Sequence, residues 1–213
     1  MKRLVLLFAV VMLFAGMASA EFNYGMRMGI SIGNVAMDPE FDEWGPTDAD
    51  NKMMTGVYLG AWGRFVLNEK MSVLTGLTYI QKGDKYTIDG DPDIDWFFWG
   101  KSLEVPILFS YMISDSFEMY AGPVLGYLMK AGYKQQGTYD EDNITEFMGL
   151  EMGDFVNRFE FAMAAGMKYH FAEKYFGELG YEYGFTNMID SEFFSEEVDF
   201  MTRTLYFGVG FSM

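Results

Sequence analysis

Four aspartates at alternate positions in DGDPDIDWFFW, Asp89, Asp91, Asp93 and Asp95, have the oxygen-rich spacing that hard cations such as calcium take. The match to a calcium loop is partial. Glycine stands at the second position rather than the sixth, and Gly100 falls where a bidentate glutamate would close the coordination. Calcium stays a candidate on these four side chains, and no other metal or cofactor is expected. The second group is the only histidine, His170. An imidazole becomes a catalytic base beside a nucleophile and an orienting acid. No such serine and acid can be assembled around His170, so it reads as a rim residue and the chain as a non-enzyme. The third group is ten charged residues: Arg27, Arg64, Lys82, Arg158 and Lys168 against Glu104, Glu118, Glu160, Glu178 and Glu182. Buried charges need partners, and these balance, so a salt-bridged plug is expected. Depth would let Arg27 meet Glu182 near the middle and Arg64 meet Glu118 or Glu178 near one end. A proton or ion path is the competing use.

What positions these residues is period-two alternation. Phe22, Tyr24, Met26, Met28, Ile30 and Ile32 alternate with Asn23, Gly25, Arg27, Gly29, Ser31 and Gly33. The same pattern recurs near residues 56–65, 73–79, 102–111, 117–127, 158–169, 178–185 and 204–213, although Leu74 and Ile80 blur the third row. Strict alternation is the signature of a strand with two unlike faces. Short turns at Asn68-Glu69-Lys70, Ser114-Asp115 and Ala172-Glu173-Lys174 separate longer stretches at roughly 34–53, 84–100, 129–154 and 189–201. Three short turns and four long loops fit an eight-stranded antiparallel up-and-down transmembrane barrel with both termini periplasmic. Aromatics at Phe22, Tyr24, Trp99, Tyr111, Tyr127, Tyr169 and Phe185 mark interfacial girdles, and Trp96 to Trp99 would begin one of them or form a partner-binding patch.

The N-terminus agrees. Lys2 and Arg3 precede an apolar run from Leu4 to Phe14, and Ala18-Ser19-Ala20 is a small-residue cleavage site. That is a signal peptide over residues 1–20, followed by one barrel domain over 21–213. The chain has no cysteine, so an exported fold would be held by a closed sheet instead of disulfides. No later apolar run reaches the length of a membrane helix, and closed sheets are the other structure that satisfies every backbone group in lipid. A lipocalin-like soluble barrel would turn the bulky Phe, Tyr and Met row into a lumen too small for it. An eight-stranded lumen is filled by side chains, which suits the ten charges. Leu205, Phe207, Val209, Phe211 and Met213 form a terminal apolar row of the kind outer-membrane assembly machinery reads, with Met213 where an aromatic usually ends such a signal. Formal net charge is −16, and most of the 31 acidic residues fall in the four long stretches. That sign disfavours nucleic acid and leaves outer-membrane lipid, lipopolysaccharide and an envelope or secretion protein as candidate partners.

The segments GISIGN, GVYLGAW, LTYIQKGDKY, LEVPILFSY, YAGPVLGYLMKA, AAGMKYHF, YEYGFTNMID and LYFGVGFSM, in that order, resemble the PorT-like family of outer-membrane β-barrel proteins. The most specific pieces are Glu104 and Pro106 in LEVP, Gln81 to Gly83, and Ala121 to Pro123. The resemblance implies an eight-stranded barrel in an outer membrane, related in size to OmpA- and OmpX-like barrels. Its namesake is associated with protein secretion. The family's inward charges on the third and seventh strands are replaced here by Gly76 and Gly180. No peptidoglycan-binding domain is expected beyond the barrel.

Overall fold

A computed structural model of the chain describes residues 22–37, 49–88, 94–138, 144–151, 157–187 and 200–213. Nine strands run through them: β1 (Phe22–Met37), β2 (Ala49–Val66), β3 (Met71–Ile88), β4 (Ile94–Ser114), β5 (Phe117–Thr138), β6 (Ile144–Glu151), β7 (Phe159–Ala172), β8 (Tyr175–Gly184) and β9 (Phe200–Ser212). Every pairing is antiparallel, and the order β1-β2-β3-β4-β5-β7-β8-β9 returns to β1. Eight strands therefore close the barrel. β6 is not a ninth stave. It pairs with the outer part of β5, from Gly132 to Thr138, while β7 pairs with the inner part, from Phe117 to Tyr127.

Closure settles which face is which. Met28, Leu59, Phe109, Met119, Leu179 and Val209 are exposed on the outside, whereas Tyr58, Glu104, Glu118, Lys168 and Thr204 are buried within. An apolar outer band with a polar interior is the arrangement lipid demands. Leu74 and Ile80, which blur the third row in sequence, are buried and fill the bore with Leu108 and Val124. They do not disturb the period, because the inward row of β3 is simply apolar at these heights. The aromatic girdle is in contact along the sheet, with Phe117 and Tyr169 at 5.1 Å and Tyr127 and Phe159 at 5.3 Å.

The long stretches differ from expectation in one respect. Residues 84–88 and 94–100 continue β3 and β4, and 129–138 continues β5, with β6 beside it. Likewise β1 reaches Met37 and β2 begins at Ala49. Polar, glycine-containing segments read as loops locally, but backbone pairing to an existing edge extends them as strands. Trp96 to Trp99 thus belong to β4, paired with Tyr86 to Gly83. Asp89, Asp91 and Asp93 lie outside the described residues, as do residues 1–21. Asp95 is within β4, opposite Thr87 and Gln136.

Candidate functional site

The polar interior is arranged in three tiers along the bore. In the outer tier the Lys82 ammonium meets three carboxylates: Glu104 at 2.6 Å, Glu160 at 2.9 Å, and Glu182 in a closer contact. The three acids come from β4, β7 and β8, and one oxygen of each lies within 4.8 Å of the others. Gly126 faces both Glu104 and Glu160 in register. A β-carbon there would sit 3.2 Å from the Glu160 carboxylate, so the glycine leaves room for the acids to converge. The Thr202 hydroxyl donates to the second oxygen of Glu160. Asp84, one inward position beyond Lys82, is fully buried and accepts the Lys85 backbone N–H at 2.8 Å.

The middle tier is built on Arg27. Its guanidinium donates to the Thr78 hydroxyl at 2.8 Å and to Glu178 at 3.3 Å. Tyr58 donates to the other Glu178 oxygen at 2.7 Å, and the Tyr120 hydroxyl lies 3.2 Å from that of Tyr206. Gly180 makes space for this pair. A β-carbon there would fall 2.4 Å from the Tyr206 ring and 2.6 Å from the Tyr120 oxygen. Gly180 on β8 is therefore matched to the two tyrosines.

The third tier, toward the short turns, holds Arg64 against Glu118, with His170 Nε2 at 3.1 Å from the same carboxylate. Lys168 faces Glu118 and Glu178 in register on its two neighbouring strands. Its ammonium is 4.7 Å from the ring centres of Trp62 and Phe176 and 5.6 Å from that of Tyr120, cation–π distances in a desolvated setting. Two small cavities of about 10 Å³, each room for one water, lie between and above the tiers. One is lined in part by Arg27, Tyr58, Glu104 and Glu182, the other by Lys82, Glu160 and Thr202.

Nine of the ten charges picked from sequence stand in or at the edge of the bore. Arg158 does not: it precedes β7, where the inward row begins at Glu160, and it is exposed. Arg27 contacts Glu178 rather than Glu182, and Glu182 goes to Lys82. Residues level along two sequences are not level across a barrel whose strands are tilted. Arg64 takes Glu118 of its two sequence alternatives. Sequence reasoning passed over the tyrosines, Thr78, Thr202 and Asp84, although Tyr58, Tyr120 and Tyr206 share the inward parity of the charges. At the C-terminus, Leu205, Phe207 and Val209 are exposed on the outer face, Phe211 is half-buried beside Tyr175 in the register, and Met213 donates its N–H to Tyr24.

A closed eight-stranded sheet, apolar outside and ionic within, defines an integral β-barrel protein of the outer membrane. The chain belongs to the Outer membrane protein beta-barrel domain family, which matches residues 14–190. Among solved structures it is similar to Ail, the attachment invasion locus protein of Yersinia pestis, at 15% identity over 91% of this chain and 99% of that one, with a TM-score of 0.46. OprG of Pseudomonas aeruginosa is similar at 11% identity over 91% and 97% (TM-score 0.40), and Neisserial surface protein A at 10% over 89% and 96% (TM-score 0.37). No curated protein matches the chain.

Proposed function

We propose that this is a non-enzymatic outer-membrane barrel with a plugged bore, acting at the cell surface through its extended outer strands and acidic, aromatic-containing loops. The observation that carries the reading is the succession of ion-paired tiers from Lys82 to His170, separated by space for single waters. Breaking any tier to admit an ion exposes buried charge, which is costly. His170 also directs Nε2 at Glu118 rather than at a hydroxyl. Export with removal of residues 1–20, insertion by the outer-membrane assembly machinery and contact with lipopolysaccharide accompany this reading, and nucleic acid is excluded from it by charge. The expected result in a planar bilayer is a refolded barrel with no large, steady single-channel conductance. A sustained large conductance would remove the plug.

A second, finer reading makes the chain a PorT-like accessory of a protein-secretion or transport machine, on the strength of the LEVP strand at Leu103 to Pro106 and the Gln81–Gly83 segment. Co-purification of the tagged barrel from its native membrane in mild detergent tests it. A reproducible, stoichiometric set of secretion subunits is the expected result under this reading, and recovery of the barrel alone rejects it.

A further inference from the structure

Two buried polar atoms without a hydrogen-bond partner, Arg27 Nε and Glu118 Oε1, stand where the ionic tiers fail to touch one another. The first gap lies between the outer and middle tiers. The cavity there is lined by Glu104 and Glu182 from one tier and by Arg27, Tyr58 and Tyr206 from the other. A polar cavity of this size, walled by several hydrogen-bonding groups, holds one water. That water joins the two tiers.

The second gap lies between the middle tier and the third. Lys168 stands across it, opposite Glu178 on β8 and opposite Glu118 on β5. Its ammonium is held by the rings of Trp62 and Phe176 instead of by either carboxylate. Attraction to a ring face holds a cation without committing its N–H donors to one acceptor. Side chains at directly paired positions have β-carbons about 5 Å apart, so rotation of the long lysine stem brings Nζ to either acid.

With these two links the titratable groups form one series along the bore. Glu160 and Glu182 share Lys82 at the outer end, where Glu160 also borders the second cavity. The water of the first cavity follows, and then Tyr58, which donates to Glu178 at 2.7 Å. Lys168 stands between Glu178 and Glu118, and Glu118 meets His170 Nε2 at 3.1 Å. The His170 side chain is 20% exposed and closes the series at solvent. Arg27, the fixed cation beside the path, is offset by Glu178 at 3.3 Å. Glu104, Glu118, Glu160, Glu178 and Glu182 outnumber Arg27, Arg64, Lys82 and Lys168, so the bore as a whole does not repel positive charge.

We propose that the plugged bore passes protons while excluding metal and halide ions. A proton entering at Glu160 or Glu182 crosses the water to Tyr58, whose own proton moves to Glu178. Lys168 gives a proton to Glu118 and takes one back from Glu178, and Glu118 hands its proton to His170 and solvent. Each group gains one proton for each that it loses. Only O–H and N–H bonds exchange, and no ion pair is broken. A larger ion needs room that single-water cavities lack, and it would have to open tiers whose separation is costly. The inference rests on the plugged-barrel reading and gives that bore an activity.

The test uses the barrel refolded into phospholipid vesicles that trap a pH-sensitive dye, with valinomycin and potassium balancing charge. A pH step is expected to relax faster than in protein-free vesicles, and more slowly in deuterium oxide than in water. Parallel vesicles without valinomycin are expected to retain trapped potassium chloride. Lys168→Met is expected to return relaxation to the protein-free rate and Tyr58→Phe to lose most of the gain, whereas the turn variant Lys70→Gln/Lys174→Gln keeps it. Heat-dependent gel mobility reports whether each variant is folded. If Lys168→Met does not fold, Tyr58→Phe, which loses a single oxygen, decides. If neither folds, the unaltered barrel decides, since relaxation that is not slowed in deuterium oxide refutes hopping. Relaxation no faster than in protein-free vesicles, or unchanged in folded Lys168→Met, overturns the proposal. Loss of trapped potassium chloride removes the plug and the proposal with it. Absent proton relaxation with the salt retained removes the path and leaves the plugged-barrel reading intact.

Discussion

Replacing Lys82 by methionine is expected to destabilise the folded barrel by about 3–5 kcal/mol, the cost of removing one partner from a buried ionic cluster. The side chain is only 3% exposed and touches Glu104, Glu160 and Glu182. Methionine keeps most of the volume, so the loss is electrostatic more than a cavity effect. Three carboxylates gathered within 4.8 Å would then face one another without a cation, and Asp84 lies on the same inward row. Adding Glu182→Gln to the variant is expected to restore part of the loss by removing one repelling charge. Urea unfolding in detergent micelles, followed by tryptophan fluorescence, measures both. A loss under about 1 kcal/mol, the scale of exposed ion pairs, would mean that water screens the tier and that the bore is open there.

Leu179→Arg probes the other face of the wall. Leu179 is exposed on β8, opposite Met167 and Phe207, with the inward Glu178 as its chain neighbour. The outer row of β8 runs from Tyr175 to Tyr183, which places Leu179 at its middle. A lipid-facing arginine at that depth costs about 2–4 kcal/mol. The same exchange on a water-facing surface falls within about 0.5 kcal/mol. Unfolding of the two proteins from lipid vesicles compares them directly. A near-neutral result would show water, not acyl chains, against this face.

Sidedness was legible in the sequence because period two is a local property of an extended backbone. Arg27, Lys82, Glu104, Glu118, Lys168, Glu178 and Glu182 all follow from counting alternate residues beside an apolar row. Partnership was not legible, because it depends on strand tilt, shear and bulges that no single segment encodes. Arg27 shows this, reaching Glu178 when depth along the chain suggested Glu182. Arg158 shows a related failure: parity was extrapolated past the start of a strand, where it has no meaning. Lys130 is the converse, a residue whose parity is reversed by one inserted methionine. The acid-rich segment at 84–100 and the polar, glycine-containing one at 129–138 read as loops for a different reason. Their composition describes how well they are solvated, whereas their conformation is imposed by the paired edges beside them.

The length of β4 and β5 exceeds what crossing a membrane requires. A spanning strand needs about 9–11 residues, and these two have 21 and 22. From Lys101 to Ile94 the chain climbs seven further positions while still paired on both sides. At about 3.3 Å per residue and a tilt near 40°, that carries Ile94 roughly 18 Å beyond Lys101 along the barrel axis. The barrel therefore carries a mast of paired strand, and a lateral push on its upper part would be transmitted through backbone pairing into the wall.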